Sequence, residues 1–361
     1  MKHENQSLDP LRSNGSSSVP PELCVGIPSV KRDGISYLKT TLGSLQHGLS
    51  DRERQMIYFI VLLAHIDQQK HPDYGQAWLG GMADSLPSYA ADSEWLALAQ
   101  KMEAHHIHAV KSKLDYSILM EECQRTGAPY TLLVEDDVVF LHGWRHRTMR
   151  ALDWAKVKTW DATREYFLYL RLFYYEDLRG WNVESWRQYL GSCATLTVAL
   201  ALIMLCIRHY MPVSRVYLTR DGFLITFVLF LPLVILLYFS AGANCVLPKH
   251  TGVHLMADNA CCGQGLVFPR ATVANELLPL FQGDRWSEIP TDSFIEMHAS
   301  KSGGLRWALS PVVMQHVGAR SSYGEDRGTY GDTTPASIWN FGFENNDPAE
   351  LAAEHSVFEQ T

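Results

Sequence analysis

Three consecutive carboxylates, Glu135, Asp136 and Asp137, interrupt a run of β-forming residues at positions 130–140, YTLLVEDDVVF. Residues 131–134 and 138–140 read as one buried strand, because their apolar side chains run continuously instead of alternating. Three acids at that point would repel one another and lose solvation. A divalent cation offsets both costs. Carboxylates at the end of a central strand can hold Mg²⁺ or Mn²⁺, with phosphate oxygens of a substrate completing the shell. The competing reading is a strand that ends in a solvated acidic turn.

Other residues could serve the same chemistry. Lys31 and Arg32 directly follow a first apolar stretch, LCVGIPSV at 23–30. Cations just after a strand suit anionic ligands at the carboxyl ends of an α/β sheet; the alternative is ordinary surface charge. Asp292 lies near the start of a helical stretch, IPTDSFIEMH at 289–298, with Glu296 four residues on. An Asp there can cap the helix or act as a general base. His316 sits in a short strand, SPVVMQHVG at 310–318, as a structural residue or a ligand. The glycines of CCGQGLVFPR at 261–270 would let backbone approach a sugar or phosphate, or simply make a tight turn.

These residues need a scaffold to position them. The spacing predicts a helix over 37–49, a buried strand over 56–66 and loop from 68 to 92. It then predicts a helix over 93–103 capped by Ser93, a short strand at 107–110, and a helix over 114–126 ended by Gly127. Strand follows at 166–175 and helix at 273–281. Alternating strand and helix over 23–140 is the pattern of a sheet with helices packed on it. Residues 1–22 are polar, with no apolar stretch and no signal peptide, and carry acceptor triplets for glycosylation at Asn5 and Asn14. Residues 344–359 read as an acidic, mobile tail.

The chain has 361 residues, 47% hydrophobic content and a net charge of −8 without a polybasic run, which argues against nucleic acid as a partner. Two stretches stand out, 189–207 and 222–243: neither holds a charged residue, and each spans about 30 Å as a helix, the hydrocarbon thickness of a bilayer. Between them, 208–221 carries Arg208, Arg215 and Arg220 against one acid. The positive-inside rule places this loop in the cytosol and both outer ends in the lumen. Two helices without intramembrane charge do not make a channel. Among the seven cysteines, Cys24, Cys123, Cys245, Cys261 and Cys262 lie outside the apolar stretches; one or two disulfides are open to them, with pairing undetermined.

Taken together, VGIPSVKR at 25–32, KLDYSILM at 113–120, LLVEDDVVF at 132–140, GQGLVFPR at 263–270, PTD at 290–292 and QHVGARSS at 315–322 resemble the Golgi GPI-glycan N-acetylgalactosaminyltransferases of the post-GPI-attachment protein family, relatives of the type IV branching N-acetylglucosaminyltransferases. The family carries a membrane hairpin inside its catalytic domain; the branching enzymes lack one. The resemblance implies an α/β GT-A-type glycosyltransferase with a Rossmann-like sheet, split by the hairpin into 23–188 and 244–343. It implies transfer of GalNAc from UDP-GalNAc to the first mannose of a GPI glycan, with inversion, in the Golgi lumen, by a multi-pass membrane protein. Mn²⁺ is the implied cofactor, with Asp137 and His316 as ligands. Asp292 is the implied base. Pro28, Lys31, Arg32, Lys111, Asp115, Glu135 and Asp136 are implied on the donor side. A membrane helix ahead of the catalytic domain is also expected, and its absence here suggests a shortened form. The other functions weighed are an N-glycan-branching GlcNAc-transferase, against which the hairpin argues, and a glycan-binding membrane adaptor without turnover.

Overall fold

The computed structural model describes residues 20–105, 107–162, 166–175, 181, 185–247, 250–256, 263–283, 286–319 and 338–359. Asn5, Asn14, Cys261 and Cys262 lie outside them, as does the side chain of Cys245. Strand β1 (Leu23–Ser29) and strand β2 (Ile57–Leu63) form where the apolar runs predict them. Between them lie helices α1 (Leu38–Gln46) and α2 (Asp51–Gln55), the second opened by a Ser50–Glu53 capping box. Helix α3 (Ser93–Ala104) is capped by Asp92, whose side chain accepts from Glu94 N at 2.7 Å, and not by Ser93. An anion is the better cap at the positive end of a helix.

The predicted strand at 107–110 does not form. Those residues open helix α4 (His108–Thr126), which closes on the left-handed Gly127 at φ 80°. No run of β-branched residues holds them extended, and Ala109 and Val110 bury on the helix face instead. The disulfide Cys24–Cys123 ties α4 to β1, with Cα atoms 5.5 Å apart.

The acidic stretch is not one strand. Strand β3 (Tyr130–Val134) and strand β4 (Val138–Phe140) flank the three carboxylates and belong to different sheets. Helix α5 (Trp144–Asp161), β5 (Tyr169–Arg171), β6 (Gly252–Leu255), β7 (Gly265–Pro269), helix α6 (Thr291–Ser302), β8 (Arg306–Ser310) and β9 (Met314–His316) complete the scaffold. Among the described residues, seven strands form a mixed sheet in the order β2-β1-β3-β7-β5-β8-β6. β1 is parallel to both neighbours, and β7 enters antiparallel between β3 and β5. β4 pairs antiparallel with β9 in a small second sheet.

Alternate strand residues feed two cores. Val25, Ile27 and Leu132 face the side covered by α1 and α5, while Cys24 and Leu133 face α4. Each such fully buried Leu or Ile contributes about 1.5–3 kcal/mol. The acidic 344–359 stretch is not a free tail: helix α7 (Pro348–Glu359) buries Leu351 and His355. Its Glu354 accepts from Arg147 at 2.9 and 3.0 Å, and His355 donates to Glu53 at 2.8 Å.

The chain divides into two units, Glu176–His250 and the remainder. The first holds the helices Trp186–Tyr210 and Arg220–Ser240, both long and apolar enough to cross a membrane. The second of these helices passes through a π-helical turn at Ile225–Phe230 before Pro232, which has no N–H to offer the ladder. The Trp181 indole donates to Phe239 O at 2.8 Å and packs against Tyr189, Tyr238 and Phe239. Such Trp–Tyr groupings suit a membrane–water boundary.

Candidate active site

β1 and β3 run parallel as neighbours, so their carboxyl ends open on one edge of the sheet. Ser29 closes β1, and the turn after it carries Lys31 and Arg32. Glu135, Asp136 and Asp137 follow β3. The turn is pinned from beneath by Thr41 of α1, whose hydroxyl lies 2.7 Å from Asp136 O and 3.2 Å from Val138 N. Asp136 is buried; its Oδ1 accepts from Arg32 Nη1 at 2.6 Å and its Oδ2 from Ser29 Oγ at 2.5 Å. Arg32 Nη2 also reaches Asp137 Oδ2 at 3.1 Å.

The β4–β9 ladder sets Val138 opposite His316 and so delivers His316 to the same turn. His316 Nε2 lies 3.4 Å from Asp137 Oδ2, and Val317 N donates to Asp137 O at 2.9 Å. Gly318 completes this corner. A Cβ there would overlap the Asp137 carboxylate and stand 2.9 Å from His316 Nε2, so only glycine allows the close approach.

Electrostatics distinguish the three acids. Burial, then the charges of Asp137 and Asp292, push Glu135 well above the usual carboxylate range, with Arg32 pulling the other way. Burial also raises Asp136, to about 6, against the opposing pull of Arg32. Burial acts on Asp137 too, but the hydrogen bond and charge of His316, with Arg32, outweigh it and hold Asp137 below its ordinary value. One guanidinium thus serves a turn that carries three carboxylates.

The donor set fits a divalent cation. Glu135, Asp137 and His316 can each offer a ligand atom within 4.8 Å of the others. Asp137 Oδ1 and His316 Nδ1 are buried and meet no protein donor or acceptor among the described residues. Two carboxylates and an imidazole are donors that several divalent ions accept, Mn²⁺ among them. Asp137 and His316 are the ligands expected from the sequence; Glu135, expected on the donor side, lies within the same reach.

The remaining expected residues lie around this corner. Asp292 is the second residue of α6, after Pro290 at the cap position, so it is not the N-cap. Its Oδ1 accepts from Ser293 N at 2.7 Å. A Cβ on Gly263 would lie 3.6 Å from Asp292 Cβ and 3.9 Å from Glu135 Oε1, so Gly263 sits between the two acids. Thr291 meets Ser112 of α4 at 2.9 Å, which seats the start of α6.

Lys111 and Asp115 are buried at the end of β2: Lys111 Nζ donates to Ala64 O at 2.6 Å and to Tyr89 OH at 2.8 Å, and Tyr89 donates to Asp115. Pro28 lies in β1 opposite Leu62. The Lys31 side chain is exposed, while its N–H donates to His65 Nε2 at 2.8 Å. Sequence reasoning missed Ser29, Thr41, His65, His71, Tyr89 and Gly318. Thr41 lies in helix α1 and the others in strand ends, loops or short turns, and only the glycine two residues after His316 carried a local signal.

Glu296 belongs to a separate buried knot, accepting from Arg171 at 2.7 Å, Arg306 at 3.2 Å and Tyr169. A second grouping, Glu53, His355 and Glu359, has a similar spacing. Its Glu53 already accepts from Arg145 at 3.2 Å, Ser50 N at 3.1 Å and His355, so it clasps α7 and is not an open ligand set.

Comparison with known proteins places this chain in a family. Residues 23–315 match the family described as GPI-N-acetylgalactosamine transferase PGAP4. Alpha-1,3-mannosyl-glycoprotein 4-beta-N-acetylglucosaminyltransferase B of Danio rerio is 30% identical over 148 residues, and so is the Homo sapiens protein of that name. The match covers 38% of this chain and 27% of either relative, so the chain spans about a quarter of the curated relatives' length. The stretch matched by the family contains β1 through β8 and runs into β9 at Gln315, enclosing both halves of the sheet and Asp292: this chain belongs to the PGAP4 family of GPI-N-acetylgalactosamine transferases.

Proposed function

We propose that this protein is an inverting GT-A-type glycosyltransferase that moves GalNAc from UDP-GalNAc to the first mannose of a GPI glycan, in the Golgi lumen. Family membership supports the reaction class. The observation that carries the site assignment is the convergence of Glu135, Asp137 and His316 on one corner, with Asp292 across Gly263.

In this reading Asp292 takes the proton from the acceptor hydroxyl as its oxygen attacks C1 of the sugar. The C1–O bond to UDP breaks on the opposite face, which inverts the anomeric carbon. Glu135, Asp137 and His316 would hold Mn²⁺, which when bound supplies positive charge against the departing diphosphate. Arg32 holds Asp136 and Asp137 in place and adds positive charge beside the diphosphate. Lys111, Asp115 and Asp136, with Pro28 and Lys31, form the donor side of the pocket. The two membrane-length helices would keep the catalytic unit on the leaflet that carries the lipid-anchored acceptor, raising its effective concentration.

The test is turnover of a panel of UDP-sugars by purified protein, with Mn²⁺ and with EDTA, on a GPI glycan and on an N-glycan acceptor. The expected result is Mn²⁺-dependent transfer of GalNAc to the GPI glycan. GlcNAc transfer to the N-glycan would instead establish the branching activity, and binding of glycan with no turnover of any UDP-sugar would establish an adaptor.

A further inference from the structure

The proposed reaction leaves one buried group beside the acidic turn without a role. His71 lies in the loop after β2, almost fully buried, with its Nε2 3.1 Å from Ser29 Oγ. The other ring nitrogen fixes the direction of this contact. His71 Nδ1 accepts from the backbone N–H of Asp73 at 3.2 Å, so the ring proton resides on Nε2. Nε2–H therefore donates to Ser29 Oγ, which frees the serine proton to donate to Asp136 Oδ2 at 2.5 Å. Asp73 is held in turn by Ser36, whose hydroxyl donates to its Oδ2 at 2.5 Å. Burial, partly opposed by Asp73, holds His71 below the ordinary imidazole value and keeps the ring neutral, as this direction requires.

We propose that His71 is a positioning residue: through Ser29 it orients the Asp136 carboxylate, and through the shared Arg32 it aligns Asp137 for sugar-nucleotide and cation binding. The logic is that of an outer partner that fixes an inner carboxylate. Asp136 cannot rotate without losing either Ser29 on Oδ2 or Arg32 on Oδ1, and Arg32 spans from Asp136 to Asp137. Removing His71 lets the serine hydroxyl swing and loosens that brace. Loss of such outer partners costs about 10- to 100-fold in metal affinity or activity. Since His71 touches neither reacting atom, the loss falls on binding and spares the chemical step. This inference rests on the reading of the acidic turn as the donor site.

The experiment compares full-length protein with His71→Ala, His71→Asn, His71→Gln and Ser29→Ala, using UDP-GalNAc with Mn²⁺. The KM for UDP-GalNAc should rise about tenfold or more in His71→Ala and Ser29→Ala, with kcat changed less than about threefold. Gln can place an amide N–H where Nε2–H stands and should restore KM; Asn, too short to reach, should not. A variant that combines His71→Ala with Ser29→Ala should be no worse than either single one, because both changes remove the same relay. An unchanged KM in His71→Ala, equal behaviour of Asn and Gln, or additive losses would overturn the proposal. If His71→Ala does not fold, Ser29→Ala and His71→Gln carry the same comparison. A readout independent of turnover separates this idea from the donor-site reading: long-range ¹H–¹⁵N spectra should show His71 as the Nε2–H tautomer, lost in favour of Nδ1–H if the relay is wrong. Absence of turnover with the Nε2–H tautomer intact would sink the enzyme reading and leave the relay as a brace of Asp136.

Discussion

Asp292 and Asp137 carry similar carboxylates in different settings, and the proposed reaction gives them different work. Asp137 is buried, lowered by His316 and Arg32, and turned toward two other ligand groups. Asp292 stands half-buried at a helix start, across Gly263 from Glu135. Asp292→Asn should therefore reduce kcat by about 10²- to 10⁴-fold, the range for loss of a general base, while leaving UDP affinity within about twofold. Steady-state rates beside calorimetric titration with UDP check this; retained transfer would remove Asp292 from the role. Mn²⁺ at about one hundred times its Kd should stabilise the folded state by about 2.7 kcal/mol, read as a Tm increase of several degrees. Asp137→Asn and His316→Ala should abolish that increase. A full Mn²⁺ shift in both variants would place the cation elsewhere.

At the scale of elements, two connections decide whether the site holds together. The Cys24–Cys123 bridge closes a separation of 99 residues and joins the strand before the basic turn to the helix that carries Lys111 and Asp115. Replacing both cysteines by alanine should cost about 2–5 kcal/mol, seen as a lower denaturation midpoint with a steeper denaturant slope, because the unbridged unfolded chain exposes more surface. An unchanged midpoint would show the bridge to be dispensable.

Helix α7 is the second connection, and its docking depends on pH. For Glu53, burial acts upward, but the Ser50 N–H, His355 and Arg145 outweigh it and lower the carboxyl. Arg147 leads the lowering of Glu354. Burial lowers His146, against the pull of Glu354. All three values fall on folding, so their stabilisation is complete above the unfolded values, 6.5 for His146 and 4.5 for the glutamates, and is lost as pH falls through the folded ones. Protection factors of the α7 amides, corrected for the intrinsic pH dependence of exchange, should fall from just below pH 6.5 downward. Asp136 has the opposite sign: burial raises it to about 6, so its own contribution grows on acidification, while Asp137, held low, shares the sign of the glutamates. Exchange read at α7 separates the two effects. Protection of α7 unchanged down to pH 4 would contradict this account.

For the whole molecule, the membrane-length helices interrupt a single sheet. β6, β7 and β8 all come after the Glu176–His250 unit, yet β7 pairs with β3 and β5, both of which precede it. Neither half can satisfy its own strand edges. Replacing 186–240 by a flexible Gly/Ser linker should leave the sheet, the Mn²⁺ shift and transfer to a water-soluble GPI glycan intact. Transfer to an acceptor anchored in vesicles should drop by about 10²-fold or more, from loss of effective concentration. Equal turnover in vesicles would refute the tethering role.

Local sequence determined the parts whose physics is local. The continuous apolar runs of β1 and β2, the closing of α4 at Gly127 and the charge-free membrane-length helices follow from burial and backbone preference, which neighbouring residues set. The clustering of Glu135, Asp136 and Asp137 is a fact of the sequence itself. Tertiary structure alone decided how each carboxylate of the turn is held. It broke the 130–140 run into two strands because β4 finds its partner in β9, more than 170 positions later in the chain. It set Arg32, Ser29 and His71 around Asp136, and sent Asp137 to His316. It turned 107–110 into helix and docked 348–359, because contacts with α4's sheet neighbours and with Arg147 and Glu53 outweigh local preference. Those contacts join residues far apart in the chain, and no window of sequence contains both partners.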